Sequence, residues 1–425
     1  MNDGTRVLRH SMPRDLFQAL ARGGGGQDAI RQLVDAQHSK HVILVRGVAE
    51  LARGGDRPDD RITMAGYELL ARVQRQDPAA YGDVISHPSV GMWALHTLRG
   101  TGAVPGAQPS GLARVAAAAA IKAGLDAEIE VPVISGAVVL PSLGAAEASG
   151  ATAMVRAGTA EIRSGDRCVQ ARRGASGWQD LRRARSGALD VLIDDVDPFR
   201  MPATDGQPTG RLTQAEVAGF ATALSEGWEV LPPASAEEIA AIVRVIVPYQ
   251  APESGYRSTS SPQSFGTVAM SRPPDRYTCA ETLVHETQHL KLCALLDLVT
   301  LTVPDDGEHY YAPWRPDPRP ASSLLQGAYA FLGVSGFWRG QLRSAPEDSV
   351  RQHAQAEFAR WRDGAALAVD TLLGSGQLTR LGQDFAGQMA DVLAAWQREP
   401  VPDEALALAQ RNAQRHLDQW QSDNK

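Results

Sequence analysis

The stretch AETLVHETQHLKLCALLDL, residues 280–298, leaves this chain the least freedom in how it folds. Besides the two histidines and the glutamate between them, most side chains from 283 to 298 are apolar, so a helix here must be enclosed on most sides, and the remaining chain has to supply the layers around it. Thr278 followed by Glu281 reads as a capping box, and Pro273, Pro274 and Asp275 bar the helix from extending upstream. A helix is therefore expected from about 278. On it His285 and His289 lie one turn apart on one face, where two imidazole nitrogens can converge on a single cation, and Glu286 sits on the adjoining flank. The alternative is a pair of core histidines with ordinary hydrogen-bond partners. With only 10 histidines in 425 residues, an HExxH on a capped, buried helix is seldom a coincidence, and metal binding is the expectation.

The hydrophobic period divides the rest of the chain. Residues 1–126 carry apolar positions at three- and four-residue steps and read as a helical region. Residues 127–210 are rich in Val and Ile, punctuated by Gly, Pro and Asp, and read as antiparallel strands. Helical spacing returns in 211–425, the expected metal-binding catalytic region, with a short strand before the HExxH helix. The expected fold class is α+β, mostly helical, with a small antiparallel sheet and the HExxH helix in a C-terminal helical region. The start of the chain lacks a signal-like apolar run, and the Ala-rich piece at 115–125 is broken by Lys122 and followed by Asp126, so no membrane association is expected. Three scattered cysteines and a net charge of −7 fit a reducing cytoplasm and argue against a nucleic-acid partner. The carboxylates Asp190, Asp194, Asp195 and Asp197 lack calcium-loop spacing and read as a turn. His87 and His96 are out of phase for a ligand pair, and Trp93, Trp338 and Trp396 read as core.

Which chemistry a metal would perform depends on the third ligand. A zinc peptidase would use Glu286 as general base and needs another protein donor. The extended HExxHxxGxxH form is absent, since Leu292 and Leu295 occupy its last two positions, and the next helix holds neither acid nor histidine. A ferrous site needs two histidines and one oxygen donor, with open positions for a cosubstrate and O2. Gln326, Asp317 and Glu308 are the candidates, although Ser323 to Gln326 also reads as a capping box.

The segments YAPWRPDPRP (311–320) and LLQGAYAFLGVSGFWR (324–339), with SFGTVAMS upstream and HPSVGMWALHTLRG earlier, extend the signal beyond HExxH. In these the chain resembles the HExxH-containing peptide-modification proteins, α-ketoglutarate-dependent peptide β-hydroxylases of ribosomal natural-product clusters. The resemblance covers most of the chain and is strongest between 256 and 340. It implies an Fe(II) site on His285 and His289, with α-ketoglutarate and O2 as cosubstrates of a dioxygenase, and hydroxylation at Cβ of a residue in a ribosomally made precursor peptide. Gln326 is the expected third ligand by position. A non-catalytic peptide-binding protein is a further alternative, and the oligomeric state stays open.

A dicarboxylate cosubstrate needs a cation for its distal carboxylate, and Arg315 and Arg319 sit on a proline-stiffened loop after the metal helix. The alternative is a structural loop whose arginines pair with Asp317 and nearby acids; Lys291 and Arg257 are weaker alternatives for the anchor. In the oxygenase scheme Glu286 orients a ligand instead of acting as a base. The segment 256–271 reads as an edge strand able to pair with an extended peptide, with Thr267 within it.

Overall fold

The computed structural model describes residues 10–100, 104–202, 207–253 and 255–424. Six helices open the described chain: α1 (Arg14–Ala21), α2 (Gly26–Ala52), α3 (Pro58–Gln76), α4 (Pro78–Ile85), α5 (Pro88–Arg99) and α6 (Leu112–Lys122). Proline stands at the first position of α3, α4 and α5, where its missing N–H costs no hydrogen bond. The Ala-rich stretch forms α6, and Ala116 to Ala120 are wholly buried. Small residues let its neighbour approach closely: a Cβ on Gly66 of α3 would stand 2.8 Å from the Ala113 backbone. Among the described residues no helix is long and apolar enough to cross a membrane.

The middle of the chain forms β1 (Glu128–Pro132), β2 (Ala137–Leu140), β3 (Gly144–Glu147), β4 (Thr152–Arg156), β5 (Glu161–Ser164), β6 (Arg167–Gln170), β7 (Trp178–Asp180), β8 (Arg182–Ser186) and β9 (Leu189–Ile193). Two sheets, β1-β4-β5-β6 and β2-β3-β7, are antiparallel throughout. Then follow α7 (Gln214–Glu229), α8 (Pro233–Ile242), β10 (Val245–Pro248), β11 (Ser258–Thr259), β12 (Thr267–Met270), α9 (Arg276–Leu296), α10 (Ala321–Ser344), α11 (Asp348–Gly374), α12 (Arg380–Gln397) and α13 (Asp403–Asp423). The fold is α+β and predominantly helical.

A third sheet, ordered β11-β12-β10-β9-β8, is mixed: β10 runs parallel to both β9 and β12. The segment 256–271 is therefore two strands. Ser258–Thr259 is the edge, whereas Thr267–Met270 lies inside the sheet between β11 and β10 and is fully buried. Thr267 is an interior position, and an edge role falls to Ser258 and Thr259 alone.

The apolar cores cut across the three stretches anticipated from the hydrophobic period. One core joins Phe17 to Leu33 with β8, β9 and the helices α7 to α12; a second joins Val45 to Trp178 with Phe199; a third, smaller one gathers Met201, Val245, Val247, Tyr249 and Ala269. Helix α2 belongs to the two larger cores, through Ile30 and Leu33 in the first and Val45 and Val48 in the second. The turn after β9 disperses its carboxylates. Asp194 accepts from the N–H groups of Val196 and Asp197, Asp195 pairs with Arg182 and Arg211, and Asp190 pairs with surface Arg183.

Candidate metal centre

Helix α9 begins immediately after Asp275, whose Oδ1 accepts from the N–H groups of Tyr277 and Thr278 at 2.8 and 3.0 Å. The Thr278 hydroxyl donates to the same carboxylate at 2.7 Å. Asp275 thus does the capping expected of Thr278. The Glu281 carboxyl is half-buried instead, and its pKa is pushed up to about 7 by desolvation and by Glu357. The first apolar core surrounds the helix, with Leu283, Leu290, Leu292 and Leu295 at most 1% exposed.

His285 and His289 lie on one stripe of this helix, with Nε2 atoms 3.1 Å apart and rings inclined at 76°. For nitrogens held about 2.0–2.1 Å from a shared cation, that spacing corresponds to an N–metal–N angle of roughly 95–100°, close to adjacent positions of an octahedron. The same spacing is a hydrogen bond when one Nε2 carries a proton. Burial, and secondarily His289, hold the His285 pKa well below its usual value, which keeps the imidazole neutral and able to ligate.

Gln326 enters from α10. Its Oε1 lies 3.2 Å from Nδ1 of His289, and its Nε2 donates to Sγ of Cys293 at 3.4 Å. Helix α10 starts at Ala321 after Pro320, so Ser323 and Gln326 lie within it and form no cap. The amide oxygen faces the ring nitrogen away from the point where the two Nε2 atoms converge. In this arrangement Gln326 accepts the Nδ1 proton of His289, leaving Nε2 free to coordinate. In this rotamer the Gln326 oxygen is engaged with His289 Nδ1.

Glu286 is 2% exposed, and its two oxygens accept from the hydroxyls of Ser258 and Ser260, each at 2.7 Å. The edge strand β11 and the loop after it therefore hold the motif glutamate. Among the described residues no group of three or more His, Cys, Asp or Glu side chains gathers closely enough to hold a metal. The donors that do converge are the two imidazoles, whose side chains lie in the wall of the cleft.

That cleft has a volume of about 510 Å³ and contains His285, Glu286, His289, Gln326, Arg315 and Arg319 in its walls. Phe331 packs edge-on against His285 at 5.1 Å and stacks on Trp314 at 4.7 Å, giving the site an aromatic side. Trp314 fits because Gly327 has no Cβ; one added there would stand 2.4 Å from the indole. The arginines are held in place by Asp317, which accepts from Arg315 Nε and Arg319 Nη1, both at 2.9 Å. The alternatives for an anchor lie elsewhere. Lys291 is wholly buried and bonds Glu238 at 2.7 Å and the Gly23 carbonyl at 3.0 Å, and Arg257 is exposed outside the cleft. Glu308 and His309 occupy an exposed turn.

Ser258, Ser260, Cys293, Trp314 and Phe331 were not singled out from the sequence. Cys293 carried a signal, since it follows His289 by four residues and shares its stripe. The serines carried none, because only the tertiary meeting of β11 with α9 gives them a role. No protein-family model matches the chain, and no curated protein matches it.

Proposed function

We propose that this chain is an Fe(II)- and α-ketoglutarate-dependent oxygenase that hydroxylates Cβ of a residue in a ribosomally made precursor peptide. The observation that carries the reading is the convergence of the His285 and His289 Nε2 atoms at 3.1 Å in a cleft that also contains Arg315 and Arg319. A keto acid chelating through its carbonyl and adjacent carboxylate would bring two donors to the side the histidines leave open, beside the oxygen donor that a ferrous site takes from the protein. When bound, Fe(II) with α-ketoglutarate and O2 supplies the oxidation, inserting one oxygen atom into a substrate C–H bond while the keto acid goes to succinate and CO2.

The chain's own residues hold, orient and exclude. His285 and His289 bind the ion as neutral imidazoles, and Gln326 keeps the second in the ligating tautomer. Arg315 and Arg319, fixed by Asp317, present guanidinium N–H groups to the distal carboxylate. Trp314 and Phe331 shield one side of the site from water. Glu286, fastened by Ser258 and Ser260, supports the metal helix from the flank. The edge Ser258–Thr259 offers main-chain groups to an extended peptide beside the histidines.

The presence of Glu286 in the same cleft favours one second reading, a zinc metallopeptidase using it as general base. The experiment that separates the two is turnover of a candidate precursor peptide with Fe(II), α-ketoglutarate and O2. Succinate formed in step with a peptide gaining one oxygen atom supports the oxygenase; a cleaved peptide with zinc and no succinate overturns it. A chain that purifies and reconstitutes without stoichiometric metal would be a peptide-binding protein only.

A further inference from the structure

The loop bearing Arg315 and Arg319 is a closed hairpin whose far side is fastened by the C-terminal helix. Tyr310 and Arg319 form its base, exchanging N–H to carbonyl bonds at 2.8 and 2.9 Å, and a turn from Ala312 to Arg315 lies within it. Helix α13 meets this hairpin at two places. The Tyr311 hydroxyl bonds Nδ1 of His416 at 2.8 Å, and its ring packs edge-on against Trp420 at 5.2 Å. Asn424, just past the helix, donates to the Pro316 carbonyl at 2.8 Å, next to Arg315 and Asp317.

The helix itself is lightly embedded. Of its 21 residues only Ala405 and Ala409 are buried. The helix packs chiefly on α11, and the side-chain hydrogen bonds it makes beyond itself among the described residues fall on the hairpin. Tyr311 and His416 lie outside the histidine cleft, and the hairpin backbone of residues 310–319 connects them to it.

We propose that α13 is part of the cosubstrate site: through Tyr311, His416 and Asn424 it positions the hairpin that presents Arg315 and Arg319. This rests on the oxygenase reading for the identity of the ligand, though not for the existence of the fastening. These three are positioning residues that touch no substrate.

The test uses the full chain with His416→Ala, His416→Asn and Asn424→Ala. Hydrogen exchange at the Tyr310 and Arg319 amides is measured in the free protein, and α-ketoglutarate binding is measured anaerobically on the Fe(II)-loaded protein. In His416→Ala the two amides exchange faster, and the α-ketoglutarate Kd rises by roughly three- to tenfold, as expected for one lost hydrogen bond. Fe(II) affinity stays at the wild-type level, His416→Asn restores both values because its amide oxygen replaces the Nδ1 acceptor, and Asn424→Ala repeats the effect in weaker form. Unchanged exchange overturns the fastening. Faster exchange with an unchanged Kd overturns the positioning of the arginines, and a His416→Asn variant as impaired as His416→Ala overturns the hydrogen bond as its means. Wild-type protein that binds Fe(II) but no α-ketoglutarate would overturn the oxygenase reading, and with it the ligand assigned to the hairpin, whatever the exchange shows.

Discussion

The amide oxygen of Gln326 lies 3.2 Å from Nδ1 of His289, and its Nε2 lies 3.4 Å from Cys293 Sγ. Rotating the amide by half a turn would set an N–H against an N–H. Replacing Gln326 by Leu removes the acceptor that selects the ligating tautomer, and Fe(II) affinity should fall by roughly 10- to 100-fold. Gln326→Glu keeps an acceptor and should bind near the wild-type level. Competition titration against a metal indicator gives both values; a Leu variant that binds like wild type would remove Gln326 from the site.

Glu286 is engaged at both oxygens by Ser258 and Ser260. In Glu286→Gln the side chain keeps its shape, and serine hydroxyls can rotate to accept from the new amide. The variant should retain its metal and measurable succinate production. A peptidase would instead lose roughly 10²- to 10⁴-fold in rate with its general base. Metal content and turnover measured on the same preparation decide between them.

Trp314 occupies the space left by the absent Cβ of Gly327, and it stacks on Phe331 beside the histidines. Gly327→Ala forces the indole to move, at a cost of about 1–3 kcal/mol in stability. The thermal midpoint should drop, tryptophan emission should shift, and the α-ketoglutarate Kd should rise. A variant with unaltered emission would show that the indole has room to give way.

His41 is 4% exposed and bonds the Ile85 carbonyl through Nδ1 at 2.7 Å, and burial chiefly pushes its pKa down to about 4. The unfolded histidine titrates near 6.5, so the folded state loses stability as pH falls below about 6.5, and the loss is complete once pH passes the folded value. Asp194 and Glu281, both pushed up to about 7, act with the opposite sign over much of this window. The His41 contribution is therefore isolated by comparison with His41→Gln. Between pH 7.5 and 5, urea unfolding should show wild type losing about 2 kcal/mol more than the variant. Parallel pH profiles would place His41 in a more solvated setting.

Much of the helical skeleton was legible because its period is local. The HExxH helix and its upstream stop at Pro273 and Pro274 followed from spacing, whereas Arg315 and Arg319 were reached through the need to anchor the cosubstrate that the resemblance implies. What escaped depends on partners distant in sequence. The pairing of Val245 with Leu192 makes the third sheet mixed, and a strand's neighbour across fifty residues leaves no mark on its own pattern. Caps competed at short range: Asp275 outbid Thr278 because its carboxylate reaches two free N–H groups at once. Gln326 looked like a ligand or a cap from its position, and only the meeting of α9 with α10 puts its oxygen on Nδ1 of His289.

The measurement closest to the central claim is anaerobic titration of the Fe(II)-reconstituted protein with α-ketoglutarate, followed in the visible region. Wild type should develop a weak metal-to-ligand charge-transfer band that saturates at one equivalent. The band should be absent in His285→Ala and should need more α-ketoglutarate in Arg315→Ala or Arg319→Ala. A wild-type protein that holds one Fe(II) per chain and develops no band at saturating α-ketoglutarate would contradict the assignment.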